Sequence, residues 1–295
     1  MNPLISKAEV LALIQQSGFP LELRITKTLV RLGYEVSPSH LFYDRSRDKD
    51  TELDIVATRN KTFTTQSGKS IVGILRIGIE CKSNTLPYVC LGLPHSTSVD
   101  PGIVDGDGLA CHFLTSRDDG FRNRFAFPLF GSDGDVGFLP KQNHHHFAGD
   151  VRFHFLGGVD PKGKAEFKFH ETDALGLAQS KLGAFVGNFH RYGEKPEFVL
   201  DRTSEQMGVM KGPVVVACFT LLVHSGIHYR FTLDNSELVD HNHTPIFLNR
   251  TYLDQSINYV VDLVQEDHLP AALRIVSESF DWIVGRLSPW LFASK

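Results

Sequence analysis

The segment Ile71-Val72-Gly73-Ile74-Leu75-Arg76-Ile77-Gly78-Ile79-Glu80-Cys81-Lys82 decides how this chain folds. Successive side chains of an extended strand point to opposite faces. Ile71, Gly73, Leu75, Ile77, Ile79 and Cys81 therefore share one face, while Glu80 and Lys82 leave from the other. An acid and a base emerge side by side at the end of an apolar strand. Placing two such charges near a core is costly unless they pair tightly or serve chemistry.

Upstream, Glu52-Leu53-Asp54 closes a charged stretch, and Asp54 begins a second apolar strand, Ile55-Val56-Ala57. A polar loop from Thr58 to Ser70 joins the two strands on this reading and brings Asp54 beside Glu80 and Lys82. Two carboxylates with a lysine suit a hard divalent cation such as magnesium, which keeps several waters and shares its other positions with phosphate oxygens. Phosphodiester cleavage is the natural reaction for such a set.

These residues resemble the PD-(D/E)XK, or restriction-endonuclease-like, nucleases. Asp54 matches the aspartate of that motif, Glu80 and Lys82 its E-x-K, and Glu22 the glutamate that many members carry on the preceding helix. The match covers mostly residues 1–90, and Leu53 stands where the motif has proline. The resemblance implies an α/β (α+β) fold whose core is a helix, three antiparallel strands, and a further helix and strand, with a central mixed sheet flanked by helices. It implies that Asp54, Glu80 and the main-chain carbonyl of Cys81 hold Mg2+, for which Mn2+ can substitute, and that Lys82 orients or deprotonates the attacking water. Some members carry a glutamine on the helix after the E-x-K strand, which makes Gln179 a weak candidate. The implied activity is endonucleolytic hydrolysis of DNA, restriction-like or defence-related.

Around this core the pattern is uneven. Ser6-Lys7-Ala8-Glu9 is a capping box opening a first helix with Val10, Leu11 and Ile14 as its apolar stripe and Gly18 as its left-handed end. Pro20 to Leu32 reads as a second helix closed by Gly33, with Glu22 on the side of Ile25, Thr26 and Leu29. Residues 34–36 and 40–43 read as two strand pieces, and Asp44 to Asp50 as a charged turn. Residues 1–90 are thus the first part of the core, and 91–165, rich in glycine, aspartate and histidine, an insertion.

Residues 166–250 supply the remainder of the core and an added hairpin. A helical pattern runs through Ala174, Leu177, Ala178, Leu182, Phe185 and Phe189. Pro213 to His224 and Ile227 to Leu233, separated by Ser225-Gly226, then read as the two hairpin strands. Residues 251–295 read as two closing helices, Tyr252 to Glu266 and Pro270 to Arg286. The runs Asp105-Gly106-Asp107-Gly108, His144-His145-His146 and His241-Asn242-His243 lack the context of phosphate-binding or metal motifs and read as turns or solvated loops.

At 295 residues and 42% hydrophobic content the chain can build one elaborated domain. It has no uninterrupted apolar run of membrane-spanning length and no basic, apolar leader, so no membrane role and a cytoplasmic location are expected. The four cysteines read as reduced core thiols. The formal net charge of −4 argues against strong nucleic-acid binding. Residues 1–90, however, carry 12 Lys plus Arg against 9 Asp plus Glu, whereas residues 201–295 carry 7 against 11. Weak intrinsic affinity is then expected, helped by a homodimer or a partner protein. A non-catalytic binding module on the same fold, or cleavage of RNA or single strands, are the competing readings, and no base-reading motif chooses among them.

Overall fold

A computed structural model describes residues 6–83, 88–92, 112–117, 120–124, 154–156, 174–191, 213–232, 236–252 and 255–292. The glycine-rich run at 105–108 and His144–His146 lie outside the described residues. Helix α1 spans Lys7–Gln16 and opens on the expected capping box: the Ser6 hydroxyl accepts the Glu9 N–H at 3.2 Å, and the Glu9 carboxylate accepts the Ser6 N–H at 2.7 Å. Its Val10, Leu11 and Ile14 are exposed, so the stripe is not buried against the described core. Gly18 is not a left-handed end either; with φ −66° it is the N-cap of helix α2, Phe19–Arg31. Gly33, at φ +84°, does take the left-handed conformation after α2 that glycine adopts without steric cost.

Three antiparallel strands follow: β1, Glu35–Asp44; β2, Lys49–Thr64; and β3, Ser70–Lys82. β1 is one strand rather than two pieces. β2 is far longer than three apolar residues, because Arg59, Asn60, Lys61 and Thr62 continue its ladder opposite Leu75 to Val72. Their polarity marks a solvated strand end, and the expected 58–70 loop shrinks to a turn in which the Thr65 hydroxyl accepts the Lys69 N–H at 3.0 Å. The described parts of the insertion are β4, Tyr88–Gly92; β5, His112–Arg117; β6, Gly120–Arg124; and β7, His154–Leu156. Helix α3, Ala174–Arg191, then leads to β8, Val214–His224.

β8 pairs in parallel with β3 along its whole length, Val72 opposite Val214 through Lys82 opposite His224. Its other edge takes β5 over the first half and β12, Gln255–Gln265, over the last four residues. The main sheet therefore runs β1-β2-β3-β8-β12-β11, with β11 spanning His243–Tyr252. The Ser225-Gly226 hairpin does not form. Both edges of β8 at that end are occupied, so the chain turns away. β9, His228–Thr232, joins a second sheet of order β10-β9-β4-β7, where β10 is Glu237–Asp240.

The stretch expected to be a helix from Tyr252 to Glu266 is also a strand. Its β-branched Ile257, Val260, Val261 and Val264 are stiff and favour pleated backbone, and an open edge of β8 was there to pair with. One closing helix remains, α4, Leu269–Leu291.

The result is an α+β architecture, a mixed sheet flanked by helices on both faces. Leu21, Ile25 and Leu29 of α2 and Leu273, Val276, Phe280 and Ile283 of α4 bury against Ile71, Leu75, Ile77 and Ile79 on one side. Ala178, Leu182 and Phe185 of α3 bury against Leu53, Val56, Ile74 and Leu222 on the other. Eleven consecutive residues of β8 are buried, as a strand covered on both faces must be. No helix among the described residues is long and apolar enough to cross a membrane.

Two glycines of β3 let these layers close. A Cβ on Gly73 would stand 2.6 Å from the Phe63 ring and 2.7 Å from Phe280, and one on Gly78 would stand 2.7 Å from Phe185. Gly73→Ala and Gly78→Ala are each expected to lower stability by about 1–3 kcal/mol, because the overpacking strain outweighs the smaller entropic gain of alanine. Urea unfolding measures this, and an unchanged or raised midpoint would show that the rings yield freely.

Candidate functional site

The antiparallel ladder of β2 and β3 stops at Ile55 opposite Ile79. One step further, where Asp54 and Glu80 face each other, side chains replace main-chain partners. The Cys81 N–H donates to Asp54 Oδ2 at 2.7 Å, and the Asp54 N–H donates to Glu80 Oε1 at 3.4 Å. The neighbouring ladder is irregular at the same point. β1 and β2 pair at Pro38 with Ile55 and at His40 with Leu53, skipping the position between them, and Ser39 there has φ +47°. Leu53 and Val56 consequently share one core cluster, so the strand's alternation slips at Asp54. This irregularity sets Asp54 on the same side as Glu80.

Glu80 is fully buried, which for an ionised carboxylate demands partners. Lys82 Nζ lies 3.2 Å from its Oε2. A second ammonium, Lys181 of α3, lies 3.1 Å from Oε1 and 3.2 Å from Oε2, and 3.9 Å from Asp54 Oδ1. Both lysines keep a partly exposed side chain, so each carries its charge to Glu80 from the solvent side. Burial still pushes the Glu80 carboxyl above its ordinary range, helped by the Asp54 charge and opposed by the two lysines.

The sequence-derived candidates come together in part. Asp54, Glu80, Cys81 and Lys82 are contiguous. Glu22, at the start of α2, stands close enough that Asp54, Glu52, Lys82 and Lys181 all act on it. Its carboxyl is raised, first by partial burial and then by the Asp54 charge. Gln179 offers its main-chain carbonyl to the Tyr259 hydroxyl at 3.1 Å, whereas Lys181, two residues on, reaches the carboxylates. Lys181 is the residue that sequence reasoning passed over. The available signal was its place one residue before buried Leu182, on the helix face turned toward the E-x-K strand. Arg47, in the charged turn after β1, pairs with Asp44 at 3.7 Å and bonds Ser180 Oγ.

Beside Lys82 lies a group of histidines. His224, its partner across the parallel ladder, packs its ring 4.5 Å from Tyr88 and 5.3 Å from His228, and His228 in turn lies 5.7 Å from His241. His228 bonds Thr244 Oγ1 at 3.1 Å, and His243 bonds Asp262 at 2.8 Å. His241 and Asn242 connect β10 to β11, but His243, expected in the same turn, is the first residue of β11 and pairs with Val264. Both ring nitrogens of buried His224 are without a hydrogen-bond partner among the described residues. Burial pulls its pKa down to about 4, against the opposing effect of the Gly226 main chain. Burial takes His228 down to about 3.

No protein-family model, no curated protein and no solved structure matches this chain.

A histidine whose folded pKa is depressed contributes stability that is present above its unfolded value and lost as pH falls through the folded one. For His224 that window runs from about 6.5 down to about 4. Glu80, with its raised pKa, acts in the opposite sense and loses its contribution as pH rises. His224→Phe is therefore expected to melt with a smaller fall in Tm between pH 7 and pH 5 than the unchanged chain. Parallel pH profiles for the two chains would rule out the buried neutral imidazole as a source of acid sensitivity.

Proposed function

We propose that this protein is a magnesium-dependent endonuclease with a restriction-endonuclease-like core, hydrolysing phosphodiester bonds of DNA. The meeting of Asp54, Glu80 and Lys82 at the ends of adjoining strands, on one face, is the observation that carries this reading. The order of elements supports it: α2 with Glu22, antiparallel β1, β2 and β3, then α3, then β8 beside β3. This is the sequence of elements the resemblance implies.

The donor set fits a hard divalent ion in kind. Asp54 and Glu80 are carboxylates, and the N–H and C=O of one strand residue point the same way, so the Cys81 carbonyl would leave β3 by the same edge as the N–H that meets Asp54. No three His, Cys, Asp or Glu side chains converge on one point among the described residues. Two carboxylates and a carbonyl are a sparse share, which suits magnesium, an ion that keeps several of its waters. When bound, such an ion offsets charge developing on the scissile phosphate and makes a coordinated water more acidic. Lys82, partly exposed and tied to Glu80 as an ammonium, would orient a water and counter charge on the scissile phosphate; to take the water's proton it must first lose its own. Glu22, a carboxyl that keeps its proton longer than usual, stands at the rim as a second proton-handling group. The basic excess of residues 1–90 favours a phosphate backbone over the acidic C-terminal part of the chain.

A plasmid-nicking assay in Mg2+ tests the reading. Asp54→Ala and Lys82→Ala are each expected to lose at least about 100-fold in rate, the scale for removing a metal ligand or general base. Cleavage that survives both substitutions would remove the site. An unchanged chain that binds but never cuts DNA, RNA or single strands, with or without Glu80→Gln, would favour a binding module.

A further inference from the structure

Lys181 touches more of the carboxylate pair than Lys82 does. Its ammonium is within hydrogen-bond distance of both Glu80 oxygens and 3.9 Å from Asp54 Oδ1, whereas Lys82 bonds a single Glu80 oxygen. A cation shared between the two carboxylates must use oxygens that Lys181 now holds. Resting on the metal-dependent reading above, we propose that Lys181 is a tethered stand-in cation which bridges Glu80 and Asp54 until an incoming divalent ion displaces it.

Three features make the displacement possible. The helix itself is fixed: the Gln179 carbonyl accepts the Tyr259 hydroxyl, Ser180 accepts from Arg47, and Asn188 donates to the Tyr43 carbonyl at 2.6 Å. Movement must therefore come from the side chain, and lysine has a flexible four-carbon stem. That side chain is 28% exposed, so a path to solvent exists.

Formal charge favours the exchange. With Lys181 in place, the carboxylates of Glu22, Asp54 and Glu80 face two ammonium groups and leave an excess of one negative charge. With it withdrawn, the same three carboxylates face Lys82 and a doubly charged ion, which cancel them, and the released ammonium is left to meet a phosphate. Lys181 is thus a positioning residue whose contacts set how tightly the metal binds.

Mn2+ titration of the full chain, read by the electron spin resonance of the free ion and by thermal melting, separates the possibilities. Lys181→Met is expected to bind Mn2+ about tenfold more tightly, the size expected when a charged hydrogen-bonding competitor is removed. It should also melt lower than the unchanged chain without metal and gain more in Tm from saturation with Mn2+. Lys82→Met deletes the same charge without freeing the bridging position and should gain no more than about threefold. Asp54→Asn should abolish the tight site. If Lys181→Met fails to fold, Lys181→Gln, which keeps a donor for Glu80, makes the same comparison. Equal gains from the two lysine substitutions, or none from Lys181, would overturn the displacement while leaving the metal reading standing. Absence of Mn2+ binding in every chain would overturn both.

Discussion

A fully buried carboxylate at the end of a strand is the constraint around which this structure is arranged. Glu80 cannot stand in the interior unaided, and the molecule answers with the Asp54 N–H and two ammonium groups that approach from the solvent side. Each partner comes from a different element: β2, the end of β3, and α3. The break in β2's alternation at Asp54, the register of β3 and the docking of α3 must all be correct together for that charge to be tolerated. Loss of any one leaves a buried anion short of a partner, a more costly outcome than the loss of one exposed ion pair.

The packing explains how such a group can be kept in place. β3 is covered by α2 and α4 on one face and by α3 on the other, with β2 and β8 at its edges. Its apolar residues anchor it firmly, and its polar terminus projects past the last ladder pair into a region where side chains do the bonding. This is a rigid scaffold carrying a polar end, and the histidine group at the matching end of β8 extends the same polar region across the sheet.

Much of the N-terminal half was legible because its signals are local. The capping box, Pro20 near the start of α2, Gly33 after it, and the alternation from Ile71 to Lys82 each depend on residues a few positions apart. The C-terminal half misled for the opposite reason. Ser225-Gly226 is a sound turn, but whether its flanking strands pair depends on which edges of β8 are already taken, and β3 and β12 come from distant parts of the chain. Residues 255–265 carry apolar positions that satisfy helix and strand periods alike, and a distant open edge settled the matter. Lys181 was hidden similarly: on its helix it is one polar residue among several, and only the sheet beneath gives it two carboxylates.

The parallel pairing of β3 with β8 spans 131 intervening residues, from Lys82 to Val214. During synthesis, Asp54, Glu80 and Lys82 leave the ribosome long before the strand that must lie beside them and the helix that supplies Lys181. Until then β3 offers a long, greasy, unpaired margin, the kind of surface that recruits chaperones or sticks to its own copies. A nascent chain of this design is at its most vulnerable midway through translation, and its acidic pair takes final form only when the last third has emerged.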